Sequence, residues 1–121
     1  MAYNDFTEMP VWQKAMDIAV SIHLFTKDFP RNEDYGVTSQ LRRAGLSISS
    51  NIAEGFGRSH TKDKLNFYYF SRGSIMETRS HLIYCLKVGY INQADVSPIN
   101  ENLVQLSVEL NKLIKTLQSR S

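Results

Sequence analysis

A leucine-rich stripe near the C-terminal end of the chain constrains the fold more than any other feature of the sequence. Its seven apolar residues follow one another at alternating steps of three and four, the heptad spacing: Val96, Ile99, Leu103, Leu106, Leu110, Leu113 and Leu117. A helix with such a stripe must bury it against other helices. The sequence also has only 6 glycines and 3 prolines, the turn residues that many short strands need, so an all-β fold is disfavoured.

Helical spacing of apolar residues recurs in three earlier segments of the chain. With the C-terminal stripe, these segments predict helices at about 10–28, 33–56, 61–88 and 95–118 within one domain, residues 1–121. Short connections make neighbouring helices antiparallel. The predicted fold class is therefore all-α, an antiparallel up-down-up-down four-helix bundle.

Capping residues set the expected helix ends. Asn32 is a fair N-cap for the second helix, and Thr61 with Asp63 can cap the third. Gly89 is a plausible left-handed C-cap after the third helix. The fourth helix is expected to open at Asp95 or at Ser97, which precedes Pro98.

Charge and cysteine usage limit the classes of function. The net charge is +2 in 121 residues, too small by itself to indicate nucleic-acid binding. The single cysteine, Cys85, excludes an internal disulfide and suits a reducing compartment. We find no signal peptide and no apolar run of about 18 residues that could span a membrane. The sequence predicts a cytoplasmic protein with no cofactor and no membrane association.

The second helix carries the most specific motif of the chain. It reads Gln-Leu-Arg-Arg-Ala at 40–44 and Ser-Ile-Ser-Ser-Asn-Ile-Ala-Glu-Gly-Phe-Gly-Arg at 47–58. Further matches are Val-Trp-Gln-Lys-Ala at 11–15, Phe-Pro at 29–30 and Arg-Gly-Ser-Ile-Met-Glu at 72–77. Together they resemble the four-helix-bundle family encoded in intervening sequences of bacterial 23S ribosomal RNA genes.

This resemblance implies an assembly and two kinds of partner. The family is distantly similar to the accessory protein of diversity-generating retroelements, a homopentamer with a basic surface that works with a reverse transcriptase and its RNA. The resemblance thus implies a homo-oligomer, specifically a pentamer. It also implies RNA or a protein as partner.

A basic set in the second and third helices is the candidate nucleic-acid site. The second and third helices are expected to form an antiparallel hairpin whose turn centres near Arg58. Counting residues away from that turn along both helices places Arg43 within about one helical turn of Glu77. An ion pair there would be an ordinary surface contact. Four cations without obvious partners are expected to cluster towards one end and side of the hairpin, where they could neutralise phosphates: Arg42, Arg58, Lys62 and Lys64. The candidate residues are Arg42, Arg43, Arg58, Lys62, Lys64 and Arg72.

A second set of residues is interpreted as structural. Glu54 is expected to bond Lys62 or Lys64 in the hairpin, or a neighbouring subunit. Asn51 is expected to face Asn66 in a polar contact inside the bundle or between protomers. Gly55 and Gly57 close the second helix and do not form a nucleotide-binding loop, because no Gly-Lys-Ser/Thr follows them.

No catalytic or metal site is predicted. Glu54 and Glu77 lie about 20 Å apart along the hairpin, too far to act on one bond. The stripe formed by Glu77, His81 and Cys85 is a poor zinc site, because side chains at i, i+4 and i+8 rarely converge on one ion. The expected protein is not an enzyme.

Surplus apolar residues indicate an oligomer. The first helix has a wide apolar face, and the third and fourth helices add apolar residues that a four-helix core cannot also enclose. The added residues are Tyr68, Phe70, Val104, Val108 and Ile114. Exposed apolar patches usually mark interfaces. Two functional hypotheses remain: an oligomeric RNA-binding protein, and a protein-interaction scaffold without nucleic acid of its own.

Overall fold

Four antiparallel α-helices form the bundle that the heptad stripe predicts. The computed structural model describes residues 2–120, and Met1 and Ser121 of the predicted domain lie outside it. The helices are α1 (Pro10–Phe25), α2 (Val37–Gly57), α3 (Thr61–Lys87) and α4 (Gln93–Gln118), with no strand among the described residues. Each helix packs against its two neighbours in the cyclic order α1, α2, α3, α4. The predicted fold class is confirmed.

The first two predicted helices end and begin differently from expectation. α1 stops at Phe25 and continues as a 3₁₀ turn, Thr26–Asp28. The chain then becomes extended at Phe29 (φ −69°, ψ 152°), because the residue before a proline disfavours the helical region. Asn32 lies in another 3₁₀ turn, Arg31–Glu33, and α2 begins four residues later than predicted.

Capping of the later helices also differs in detail. The side chain of Asn92, not Asp95 or Ser97, caps α4 by accepting a 2.9 Å bond from the Asp95 amide. α3 follows His60, which makes no side-chain cap, so the predicted Thr61 cap is wrong. Gly89 has a φ of 86° after α3, which confirms its left-handed conformation.

The core sits between the apolar stripes of the four helices. The C-terminal stripe supplies Val96, Leu103, Leu106 and Leu110, all buried. Tyr68 and Ile114, expected among the surplus apolar residues, are 3% and 2% exposed and belong to this core. Phe70, Val104 and Val108 do remain exposed. Three of the five residues predicted as surplus are therefore exposed, and other large apolar side chains, among them Leu46 and Met76, are exposed as well.

Small polar residues let α2 and α3 approach closely. The Ser71 hydroxyl donates a 2.8 Å bond to the carbonyl of Ile48, and the hydroxyls of Ser47 and Ser74 lie 2.8 Å apart. These bonds satisfy groups that would otherwise be buried without partners. Asn51 donates to the Ser47 carbonyl at 2.9 Å within its own helix, so its predicted contact with Asn66 is not formed.

The Glu33 carboxylate links the start of α2 to the loop that follows α3. Glu33 accepts a 2.7 Å bond from the Tyr90 hydroxyl and a 3.3 Å bond from the Val37 amide. The bond to Glu33, then burial, raises the pKa of Tyr90 to about 12. The N-cap position of α2 is Gly36, not Asn32, and Glu33 satisfies the first amide of the helix from outside it.

Alkaline pH is expected to destabilise the fold. Burial raises the pKa of Tyr68 to about 12 and, with the Glu33 charge, that of Cys85 to about 11. Because these pKa values exceed the ordinary values of 10.0 and 9.0, the protonated forms stabilise the folded state. That stabilisation is complete below pH 9 and is lost as pH rises toward 12. Urea denaturation at pH 8, 10 and 11 should show a falling free energy of unfolding.

Tyr68→Phe provides the matched control for this pH dependence. It keeps the buried ring and removes one titrating group, so the fall between pH 10 and 11 should become shallower. A free energy of unfolding that stays constant from pH 8 to 11 in the wild-type protein would contradict the prediction.

Candidate nucleic-acid interface

The end of the bundle where α2 and α4 finish and α3 begins concentrates positive charge. We call residues 54–72 and 111–120 the basic end. It carries two acidic residues, Glu54 and Asp63, and seven basic ones: Arg58, Lys62, Lys64, Arg72, Lys112, Lys115 and Arg120. A 2.9 Å bond from the Gln118 amide to the Tyr69 hydroxyl holds its two segments together. Its balance of +5 exceeds the +2 of the whole chain.

Two further acidic residues, Asp5 and Glu8, lie at the same end of the bundle but on a different side. Asp5 and Glu8 belong to or flank the 3₁₀ turn Phe6–Glu8, which precedes α1. This turn packs against α1 and α2, whereas the basic end is formed mostly by α3 and α4. The positive potential is therefore directed to the α3–α4 side.

Lys64 is used to terminate α2. Its ammonium donates to the carbonyls of Gly55 at 3.2 Å and Phe56 at 2.8 Å, and lies 5.6 Å from the centre of the Phe56 ring. A cation there complements the negative end of the helix dipole. Burial lowers the pKa of Lys64. Lys64 therefore bonds helix carbonyls and does not pair with Glu54 as predicted.

Glu54 instead pairs with Arg58, one turn later in the chain. Their closest side-chain atoms lie 3.4 Å apart, and the Arg58 guanidinium lies 4.6 Å from the centre of the Phe67 ring. About half of each charged side chain is exposed, so the ion pair itself adds little stability. Arg58 keeps donors available to a ligand at the surface.

Arg72 links the two segments of the basic end. It donates a 3.1 Å bond to the Asn111 side chain, and its guanidinium lies 5.2 Å from the centre of the Tyr69 ring. Lys62, by contrast, is exposed and makes no ion pair with any residue from 2 to 120. The end thus combines stacked guanidinium groups with an unpaired ammonium group.

Three basic residues of this end were missed by the sequence reasoning. Lys112, Lys115 and Arg120 follow Lys62 by about fifty residues, and only antiparallel packing of α3 and α4 brings them near it. One signal was available: Lys112 and Lys115 lie off the heptad stripe of α4, on its exposed surface. The predicted up-down topology would have placed them at the α2–α3 turn.

Arg42 and Arg43 do not belong to the basic end. Arg42 precedes Arg58 by sixteen residues of helix, about 24 Å, and its Nε donates a 2.8 Å bond to the Thr26 hydroxyl. Arg43 forms the predicted ion pair with Glu77. The expected grouping of Arg42 with Arg58, Lys62 and Lys64 is therefore wrong, because α2 is long enough to separate them.

The acidic groups of α2 and α3 are spread along the hairpin. Glu77 bonds Arg43 and approaches the His81 ring nitrogen at 3.3 Å, whereas Glu54 lies at the basic end. Within residues 2–120, no three histidine, cysteine, aspartate or glutamate side chains are placed to share a metal ion. Among the same residues, no helix combines the length and apolar character needed to cross a membrane.

Comparison with known proteins agrees with the fold and identifies the family. A crystal structure of a protein of unknown function from the S23 ribosomal protein family of Bacteroides thetaiotaomicron superposes with a TM-score of 0.79 at 24% identity, covering 87% of this chain and 98% of that one. A search of curated proteins finds no match. The family model described as 23S rRNA-intervening sequence protein matches residues 7–112, from the turn before α1 into the last third of α4. The chain therefore belongs to the 23S rRNA-intervening sequence protein family.

Proposed function

We propose that this protein is a non-enzymatic, oligomeric RNA-binding protein of the cytoplasm, and that the basic end is its RNA-binding surface. The observation that carries the proposal is the collection of seven basic residues at one end of the bundle, on α3, on α4 and just after the ends of α2 and α4. Phosphate neutralisation by such residues supplies most of the affinity for nucleic acid without sequence preference.

The chemistry of the basic end suits single-stranded RNA. Lys62, Lys112 and Lys115 are exposed and free of ion pairs with the described residues, so phosphates meet no competing carboxylate there. Arg58 and Arg72 lie over the aromatic rings of Phe67 and Tyr69. Arginine planes and aromatic rings are surfaces on which unpaired bases stack.

The two ends of the bundle differ in charge, so we expect the basic end to face the RNA. Residues 26–37 and 84–96, at the opposite end, carry three basic and four acidic residues. We propose that the subunits form a pentamer, as the family resemblance implies. Five basic ends on one face would bind a long RNA by avidity, although each contact is weak.

Charge reversal at the two ends provides a direct test. Fluorescence anisotropy with a labelled single-stranded RNA would compare K62E/K112E/K115E with K27E/R31E/K87E, which makes the same change in net charge at the opposite end. All six residues are exposed. We expect the first variant to lose at least tenfold in affinity and its salt dependence, log K against log salt, to become shallower by about 2. The control variant should keep wild-type affinity.

Equal loss in both variants would mean that RNA responds only to net charge, and unchanged binding in the first would remove the basic end as the site. Circular dichroism checks that both variants remain helical.

A second candidate function is a scaffold that docks another protein. Phe70 and Tyr84 favour it, because they are 58% and 48% exposed on the outer surface of α3 and play no part in the core. Exposed aromatic residues are typical anchors of protein interfaces. If this candidate is right, a purified partner should bind equally well after nuclease treatment and fail to bind F70S.

A further inference from the structure

An apolar groove lies between the outer surfaces of α1 and α2. Its cavity measures about 260 Å³ and is lined by Met16, Ala19, Val20, His23, Arg42 and Leu46. Val20 and Leu46 are 49% and 52% exposed at its edges, and the small side chain of Ala19 leaves space between them. Such a groove suits an apolar ridge of another helix.

Arg42 brings a positive charge into this groove. Its Nε is occupied by the Thr26 hydroxyl, at 2.8 Å, but its two terminal nitrogens bond no residue of the described chain. The six lining residues include no acid. The surface that covers the groove should therefore supply a carboxylate beside apolar side chains, since a covered and unpaired guanidinium would be costly.

The outer face of α3 and α4 has these properties. Two bonds set its register: Arg72 to Asn111 at 3.1 Å and Arg79 to Asn100 at 3.0 Å. This register places Met76 of α3 opposite the turn of α4 that holds Val104 and Val108. These three side chains are 45%, 41% and 51% exposed.

An unpaired carboxylate completes this α3–α4 face. Glu101 lies one turn before Val104, is exposed, and makes no ion pair with any residue between 2 and 120. A negative charge beside an apolar row complements an apolar groove that contains a positive charge.

We infer that the α3–α4 face of one copy of this chain docks in the α1–α2 groove of the next, with Glu101 paired to Arg42. The inference rests on the proposed oligomer and specifies how its subunits meet. The groove and the α3–α4 face lie on opposite sides of the bundle, because α1–α2 and α3–α4 are opposite pairs in the helix order. Contact between two unlike surfaces is head-to-tail and generates a ring when its rotation closes.

This arrangement links the interface to RNA binding. Subunits related by one rotation axis present equivalent ends to the same side of a ring, so all basic ends share one face whenever the bundles stand along that axis. It also gives Arg42 a different role from the phosphate contact predicted from the sequence.

Complementation between two interface variants tests the head-to-tail contact. L46D damages only the groove, and V104D damages only the α3–α4 face. Light scattering should show that each variant alone is a monomer. An equimolar mixture should form a heterodimer of twice the monomer mass, because the intact face of L46D fits the intact groove of V104D. A mixture that remains monomeric would overturn the inference.

Charge exchange tests the specific ion pair. R42E and E101R should each reduce the fraction assembled, and R42E/E101R should restore it. Since Glu101 is exposed and bonds no other described side chain, E101R isolates the interface even if R42E disturbs the contact with Thr26. Wild-type mass in E101R, or no recovery in the double variant, would reject the pair.

The tests of the subunit interface and the test of RNA binding give independent results. A wild-type protein that is monomeric would overturn the interface and leave the groove to a different protein, while the anisotropy comparison of the two charged ends would still decide RNA binding. Loss of RNA affinity in K62E/K112E/K115E with unchanged oligomer mass would support the basic end independently.

Discussion

Replacing Ile48 by alanine is expected to lower the free energy of unfolding by about 2–5 kcal/mol. Ile48 is fully buried in α2, the helix that packs against both α1 and α3. Removal of three carbon atoms loses transfer free energy and leaves a cavity that the closely packed helices cannot close completely. Urea denaturation monitored by helical circular dichroism measures the change.

Two companion variants show whether the loss comes from the cavity. Ile48→Val removes one carbon and should cost about 0.5–1.5 kcal/mol. Leu24→Ala changes a side chain that is 55% exposed on α1, and its effect should stay within about 0.5 kcal/mol. Equal losses for Ile48→Ala and Leu24→Ala would contradict the assignment of the core.

Gly55→Ala is expected to destabilise the protein by about 1–3 kcal/mol, although alanine is the better helix former. A Cβ atom at Gly55 would lie 2.6 Å from Cε1 and 3.0 Å from Cδ1 of Tyr68. The Tyr68 ring is 3% exposed and enclosed by the core, so it cannot move aside without displacing its neighbours. The free energy of unfolding from urea denaturation is again the measurement.

Gly73 in α3 is the matched control because a Cβ there meets no atom within 4 Å. Gly73→Ala should stabilise the protein by about 0.5–1 kcal/mol through helix propensity. The two identical substitutions therefore have opposite signs. Combining Gly55→Ala with Tyr68→Leu should recover part of the loss attributed to the clash, and strict additivity of the two changes would argue against direct contact.

Residue spacing predicted one ion pair between α2 and α3 correctly and failed for another. Counting residues away from the α2–α3 turn correctly paired Arg43 with Glu77, because both residues lie on regular helix, where position follows from residue number. The same rule failed for Glu54 and Lys64, which lie near the turn. There, the carbonyls at the end of α2 compete for the ammonium of Lys64, and Arg58 is closer to Glu54.

The candidate site was predictable in part. Arg58 and Lys62 flank the α2–α3 turn, so their proximity follows from the chain itself. Lys112 and Lys115 lie at the same end only because α4 packs antiparallel against α3. Arg42 lies far from this end because it is near the start of α2, which is 21 residues long. The distant similarity to the retroelement accessory protein and the pentameric state stay predictions.

The fold class, the four helices and most of the core could be predicted from residue order alone. Those features depend on a 3.6-residue periodicity and on glycine and proline at helix ends, which act within a few residues of chain. The burial of Tyr68 and the collection of charge at the basic end could be seen only in the folded structure. These depend on which side chains meet across helices, where packing and competition for hydrogen bonds act between residues far apart in sequence.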